Sequence, residues 1–112
     1  MIYPLTPEFA VAGQIGPQDV PSIAAAGFKS VICNRPDRES PDQPDYALVE
    51  AAALQAGLQA RYLPVDSGYI TEAHARELSA LLHELPAPVL AYCRSGTRSG
   101  YLYQVARQLE DD

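Results

Sequence analysis

A chain of 112 residues has room for one sheet and its covering helices but not for a second core. Its 47% hydrophobic and 20% charged content excludes a disordered segment, and a net charge of −6 excludes an extended nucleic-acid surface. The start Met1-Ile2-Tyr3-Pro4-Leu5-Thr6-Pro7 has neither a basic region nor an apolar run, which predicts a cytoplasmic protein without signal peptide, membrane span or membrane partner.

Glu8 to Ala12 predicts a short strand, and Gly13-Gln14-Ile15-Gly16-Pro17 turns the chain into a helix with Pro17 near its first position. That helix carries Val20, Ile23 and Ala24 and stops at Gly27. Lys29 to Asn34 is the next strand. Arg35 to Pro44 holds three prolines among several charges and predicts a loop that no helix can cross. Tyr46 to Ala56 is alanine-rich and helical, closed by Gly57, and Leu58 to Val65 is a strand. Thr71 is a good N-cap for a helix whose Ala75, Leu78, Leu81, Leu82 and Leu85 recur at helical spacing. After Pro86-Ala87-Pro88, Val89 to Tyr92 is a buried strand, and a last helix carries Leu102, Val105, Ala106 and Leu109 on one side. Glu110-Asp111-Asp112 is expected to fray.

Strands that alternate with helices run parallel, because the right-handed crossover returns the chain in the same direction. The expected fold is therefore α/β: three α/β/α layers in one domain over residues 1–112, around a mostly parallel sheet of four or five strands. Ligands of such sheets bind at the carboxyl ends of the strands, where Cys33, Asp66 and Cys93 converge.

Chemistry concentrates in Cys93-Arg94-Ser95-Gly96-Thr97-Arg98-Ser99, a loop between a buried strand and a helix start. Loop N–H groups and the helix end form an anion cradle, and Arg94 and Arg98 add positive charge. Each feature favours thiolate over thiol, so Cys93 is expected to be a nucleophile and Arg98 an anion clamp. Arg94 is expected to bind substrate through its charge, and Ser95, Gly96, Thr97 and Ser99 mainly through backbone groups. A positive site inside an acidic molecule points to a small anion rather than a polyanion. Asp66, in a Val-Asp-Ser-Gly turn, is either a turn former or a general acid. Cys33 is expected to be a small core residue, or else a thiol that resolves oxidised Cys93. Both cysteines are expected to be reduced. Arg35 either forms a structural ion pair or borders the site. His74 and His83 suit a helix surface, and neither a metal nor a cofactor is implied.

The cysteine loop resembles two enzyme groups. Tyrosine and dual-specificity phosphatases place His before the cysteine and use a loop one residue longer before their arginine, whereas rhodanese-type sulfurtransferases use the length found here, four residues between Cys93 and Arg98. The phrases Ala12-Gly13-Gln14-Ile15-Gly16-Pro17, Gly27 to Asp37 and Leu63-Pro64-Val65, followed by the cysteine loop, are similar to the phosphatase-like domain of beta-lactamase hydrolase-like proteins. This resemblance implies a dual-specificity-phosphatase-like scaffold. It also implies a place in sulfide or persulfide metabolism, with a persulfide dioxygenase as partner or fused domain.

A shorter loop makes a tighter ring, better matched to one sulfur atom than to a phosphoryl group, and Tyr92 stands where phosphatases have His. The leading expectation is thus a sulfurtransferase that carries sulfane sulfur as a Cys93 persulfide. It would pass that sulfur from thiosulfate or a low-molecular-weight persulfide to a thiol or cyanide acceptor. The first alternative is a cysteine phosphatase forming a Cys93 phosphoenzyme, with Asp66 as general acid. The second is a noncatalytic anion-sensing module.

Overall fold

The computed structural model describes residues 2–111, and for Asp111 the backbone only. Five strands, β1 (Ile2–Thr6), β2 (Phe9–Ala12), β3 (Ser30–Cys33), β4 (Gln59–Tyr62) and β5 (Val89–Tyr92), form one sheet in the order β1-β2-β5-β3-β4. β2, β5, β3 and β4 are parallel, as their helical crossovers require. β1 is an added antiparallel edge that the sequence reading did not predict; it pairs Tyr3 with Val11 and Pro4 with Ala10. Pro4 is tolerated there because an edge strand has one side free of ladder partners.

Both sheet faces are covered, which explains why the inner strands are buried end to end rather than alternating in polarity. On one face Leu90, Tyr92, Val31 and Cys33 pack with Val20 and Ile23 of α1 (Val20–Ala25) and Val49 and Ala53 of α2 (Tyr46–Gln55). On the other, Val89, Ala91 and Ile32 pack with Ala75 and Leu78 of α3 (Glu72–Glu84) and Leu102 and Ala106 of α4 (Thr97–Asp111). The expected three layers are therefore present. Tyr103 of α4 stacks on Phe9 with ring centroids 4.2 Å apart, tying that helix to the sheet.

Helix ends follow the local chemistry. The first helical segment opens as a 3-10 turn over Pro17–Asp19, where the Gly16 amide donates to the Asp19 carboxylate at 2.8 Å. Gly27 and Gly57, at φ of 102° and 84°, end α1 and α2 in a conformation that side chains resist. Thr71 caps α3 by accepting from the His74 amide at 3.2 Å. At the far end the expected fraying is corrected: α4 continues through Asp111, and Glu110 accepts from Ser79 at 2.7 Å while meeting His83 at 2.8 Å. Asp112 lies outside the described residues. Among those residues no helix is long and apolar enough to cross a membrane.

Parallel register aligns Ala12, Tyr92, Cys33 and Tyr62 in one row at the carboxyl edge. The next residues, Gly13, Cys93, Asn34 and Leu63, are thereby brought side by side. Leu78 is fully buried in the α3/α4 layer whereas Leu54 is 64% exposed. In urea denaturation, Leu78→Ala is expected to cost about 2–5 kcal/mol and Leu54→Ala well under about 1 kcal/mol; similar losses would misplace the core.

Candidate active site

Cys93 leaves β5 at the middle of the carboxyl edge, its amide donating to the Ala12 carbonyl at 3.2 Å. Tyr92 faces the α1/α2 layer, so strand alternation turns Cys93 away from that layer. The neighbouring loop comes close: Gln14 N–H donates to the Arg94 carbonyl at 3.3 Å. Gly13 permits this approach, since a Cβ there would sit 3.1 Å from that carbonyl oxygen. Gly96 takes a φ of +95°, which curls the loop back so that its N–H donates to Cys93 Sγ at 3.1 Å. Gly100 N–H donates to the Gly96 carbonyl at 2.9 Å and closes the first turn of α4. Burial opposes ionisation of Cys93. The Ser99 amide, the Ser99 hydroxyl beside the sulfur, and the Ser95 and Gly96 amides outweigh it and hold the thiol below its ordinary range.

Arg98 reaches back over the loop from α4. Its Nη1 donates to Glu39 Oε2 at 3.1 Å and to the Val65 carbonyl at 2.9 Å, and its Nη2 donates to Glu39 Oε1 at 2.9 Å. Arg35 adds a third bond to that carboxylate, Nε to Oε1 at 3.1 Å, while its Nη1 donates to Gln14 at 3.0 Å. The Arg98 bond, supported by Arg35 and opposed by burial, holds Glu39 below the usual carboxylate range. The Nε of Arg98 is buried and has no hydrogen-bond partner.

Underneath, Asn34 and Ser99 are both fully buried. Asn34 Nδ2 donates to the Leu63 carbonyl at 3.0 Å, and Ser99 Oγ donates to Asn34 Oδ1 at 2.8 Å. Above the loop lies an open cavity of about 720 Å³. Cys93, Arg94, Ser95, Thr97 and Arg98 form one side, and Glu39, Ser67, Gly68, Ile70 and Tyr101 complete its lining.

The predicted cradle residues are thus brought together, with Gly96 and Ser99 supporting it from beneath. Asp66 is exposed and lies just outside the lining, although Ser67 and Gly68 beside it face the cavity and its carbonyl accepts from the Tyr69 amide at 3.0 Å. Cys33 is a core residue: its thiol donates to the Arg35 carbonyl at 3.2 Å, and burial raises its pKa to about 11. The cysteines are both free. Arg35 is buried as a structural partner of Glu39 rather than a border of the site. His74 belongs to the α3 cap, and His83 is exposed beside Glu110. Sequence reasoning missed Glu39 and Asn34. Asn34 carried one usable signal, its place immediately after a buried strand; Glu39 carried none beyond its charge.

A family model of the beta-lactamase hydrolase-like protein, phosphatase-like domain, matches residues 2–110. A beta-lactamase hydrolase-like protein of Agrobacterium fabrum is 41% identical over 100 residues, covering 89% of this chain and 23% of the relative. The chain spans about a quarter of the length of the curated relatives it matches. A candidate phosphatase from Neisseria meningitidis, solved by crystallography, has a TM-score of 0.90 at 36% identity and covers 99% of this chain and 79% of that one. The core catalytic domain of the PP-IP phosphatase SIW14 from S. cerevisiae has the same fold, with a TM-score of 0.73 at 16% identity over 99% of this chain and 67% of that one. These likenesses favour the phosphatase alternative over the expected sulfurtransferase. With this sheet order, this cysteine cradle and these relatives, the chain belongs to the beta-lactamase hydrolase-like, phosphatase-like domain family, with a tyrosine/dual-specificity phosphatase-like fold.

Proposed function

We propose that this domain is a cysteine-dependent phosphatase that hydrolyses a phosphate monoester through a Cys93 phosphoenzyme. The observation that carries this reading is the donor count of Arg98. A guanidinium has five N–H donors in one plane. Glu39 takes one from each Nη, and the Val65 carbonyl takes the second from Nη1. Nε–H and the remaining Nη2–H lie together on one edge. Such a fork matches two oxygens of a phosphoryl group. Leaving a buried Nε without a partner is costly, and a bound oxyanion removes that cost.

Catalysis then follows from position and charge. The Cys93 thiolate attacks phosphorus, an S–P bond forms, and the ester P–O bond breaks. The departing oxygen takes a proton from Asp66, whose neighbours Ser67 and Gly68 line the cavity. Water then attacks phosphorus, giving its proton to Asp66 as the S–P bond breaks and inorganic phosphate leaves. Charge spread over the three equatorial oxygens meets the loop amides and the Arg98 edge.

Sulfur transfer rests on the four-residue spacing between Cys93 and Arg98. A two-pronged donor would serve the sulfonate of a thiosulfate donor only until sulfite departs, and the Cys93 persulfide left behind has no oxygens for it, whereas a phosphoenzyme fills the fork throughout. The missing histidine is weak support for sulfur transfer as well, since Tyr92 packs into the opposite layer, away from Cys93.

Phosphatase assays with aryl phosphates, run beside cyanolysis of thiosulfate, separate the two chemistries. Wild type is expected to release phosphate and Cys93→Ser to lose all activity; cyanolysis without phosphate release would overturn the reading. Glu39→Gln, which weakens the anchor of Arg98, is expected to lower kcat/KM roughly 10- to 100-fold, the kinetic equivalent of one charged hydrogen bond. If Asp66 protonates the leaving oxygen, Asp66→Asn slows phenyl phosphate by about 100-fold or more and p-nitrophenyl phosphate far less. Equal losses on both esters would remove Asp66 from that role. The acid limb of the rate profile should follow Cys93: activity falls as pH drops through its lowered pKa and the thiolate is lost.

A further inference from the structure

We propose that Asn34 is a positioning residue that competes with the Cys93 sulfur for the single proton of the Ser99 hydroxyl. The orientation of Asn34 is not arbitrary. Its Nδ2 donates at 3.0 Å to the Leu63 carbonyl, which has no hydrogen to give, so the amide cannot be turned around and Oδ1 must face Ser99. Oδ1 in turn can only accept. At an Oγ–Oδ1 distance of 2.8 Å, the Ser99 proton therefore lies toward Asn34.

The same hydroxyl sits beside the Cys93 sulfur, but it has one proton for two acceptors. With that proton on Asn34, the thiolate depends on backbone N–H groups, among them the Gly96 amide at 3.1 Å. Turning the hydroxyl to the sulfur gains a charge-assisted bond. It also strips a fully buried amide oxygen of the Ser99 proton, a cost of similar size to the gain. Two nearly balanced acceptors make the hydroxyl a donor that follows charge: it turns to the sulfur when Cys93 is anionic and returns to Asn34 when the sulfur is protonated or esterified. Asn34 sets how readily it turns.

The other charged or titratable groups around Cys93 stay in place in this scheme. They are Arg98 and Arg94 from the loop and α4, Glu39 from the β3–α2 loop, Tyr101 at the cavity and Cys33 on the sheet side, with Asp66 exposed on the loop after β4 outside the lining. The test is the pH dependence of Cys93 alkylation by iodoacetamide, read by peptide mass. It uses no phosphate ester, so its outcome is separate from that of the phosphatase assays. Asn34→Leu, or the smaller Asn34→Ala where leucine does not fit, frees the proton and is expected to lower the midpoint by roughly one pH unit. Ser99→Ala is expected to raise it, and adding Asn34→Leu to Ser99→Ala should change nothing more. An unchanged or raised midpoint in the Asn34 variants, or an equal drop with and without Ser99, would overturn the proposal. In the unaltered protein, the side-chain carbonyl carbon of Asn34, followed by NMR, should titrate with the Cys93 alkylation midpoint and stop doing so in Ser99→Ala. A signal flat across that range in the unaltered protein, or one that persists without Ser99, contradicts it.

Discussion

The Glu39 carboxylate lies between two arginines, and the geometry of the site depends on that arrangement. Arg35 is buried and tied at its far end to Gln14, so it fixes the carboxylate from the sheet side. Glu39 then fixes Arg98 end-on, and the Val65 carbonyl removes the remaining freedom of Nη1. An arginine held in this way presents its free edge without first losing side-chain entropy, which is the cost that preorganisation removes. The network also links four segments that do not touch in sequence: the loop after β2 through Gln14, the proline-rich loop after β3, the loop after β4 through Val65 and the first turn of α4.

Two thiols near one sheet edge have opposite fates for reasons that are local. Cys33 belongs to β3 and faces the α1/α2 core beside Tyr92, where burial dominates and raises its pKa to about 11. Cys93 follows β5 by one residue, and the loop that receives it turns N–H groups inward. Burial alone would have silenced both. What distinguishes them is the supply of donors, and that supply comes from the φ of +95° at Gly96 and from first-turn amides of α4 such as that of Ser99, which have no carbonyl partner within the helix.

Much of this was legible in the chain itself. Periodicity and glycine stops located four helices and the four parallel strands, because those signals are local and β2, β3 and β5 are buried on both faces. β1 is mostly exposed and carries no buried apolar run, and it is set by pairing with β2 at the sheet edge, a tertiary fact. The cradle from Cys93 to Ser99 could be read because its residues are contiguous. Glu39 could not, and Asn34 only by its place after a buried strand, since their roles arise from the register that sets β3 beside β5 and from the fold of a loop without regular structure. The spacing of Cys93 and Arg98 put sulfur transfer first among the expectations for a related reason: ring size was read from residue count. The donors that face an anion are set by how Arg98 is held, and Glu39 holds it from another part of the chain.

A crystal structure with orthovanadate, which adopts the five-coordinate geometry of a phosphoryl group in transfer, tests this account most directly. Vanadium is expected to bond to Cys93 Sγ, with Arg98 Nε and Nη2 each donating to an equatorial oxygen while Glu39 keeps its hold on both Nη atoms. Vanadate seated away from that edge, or Glu39 displaced from Arg98 to admit it, would contradict the claim that the ion pair builds the oxyanion site.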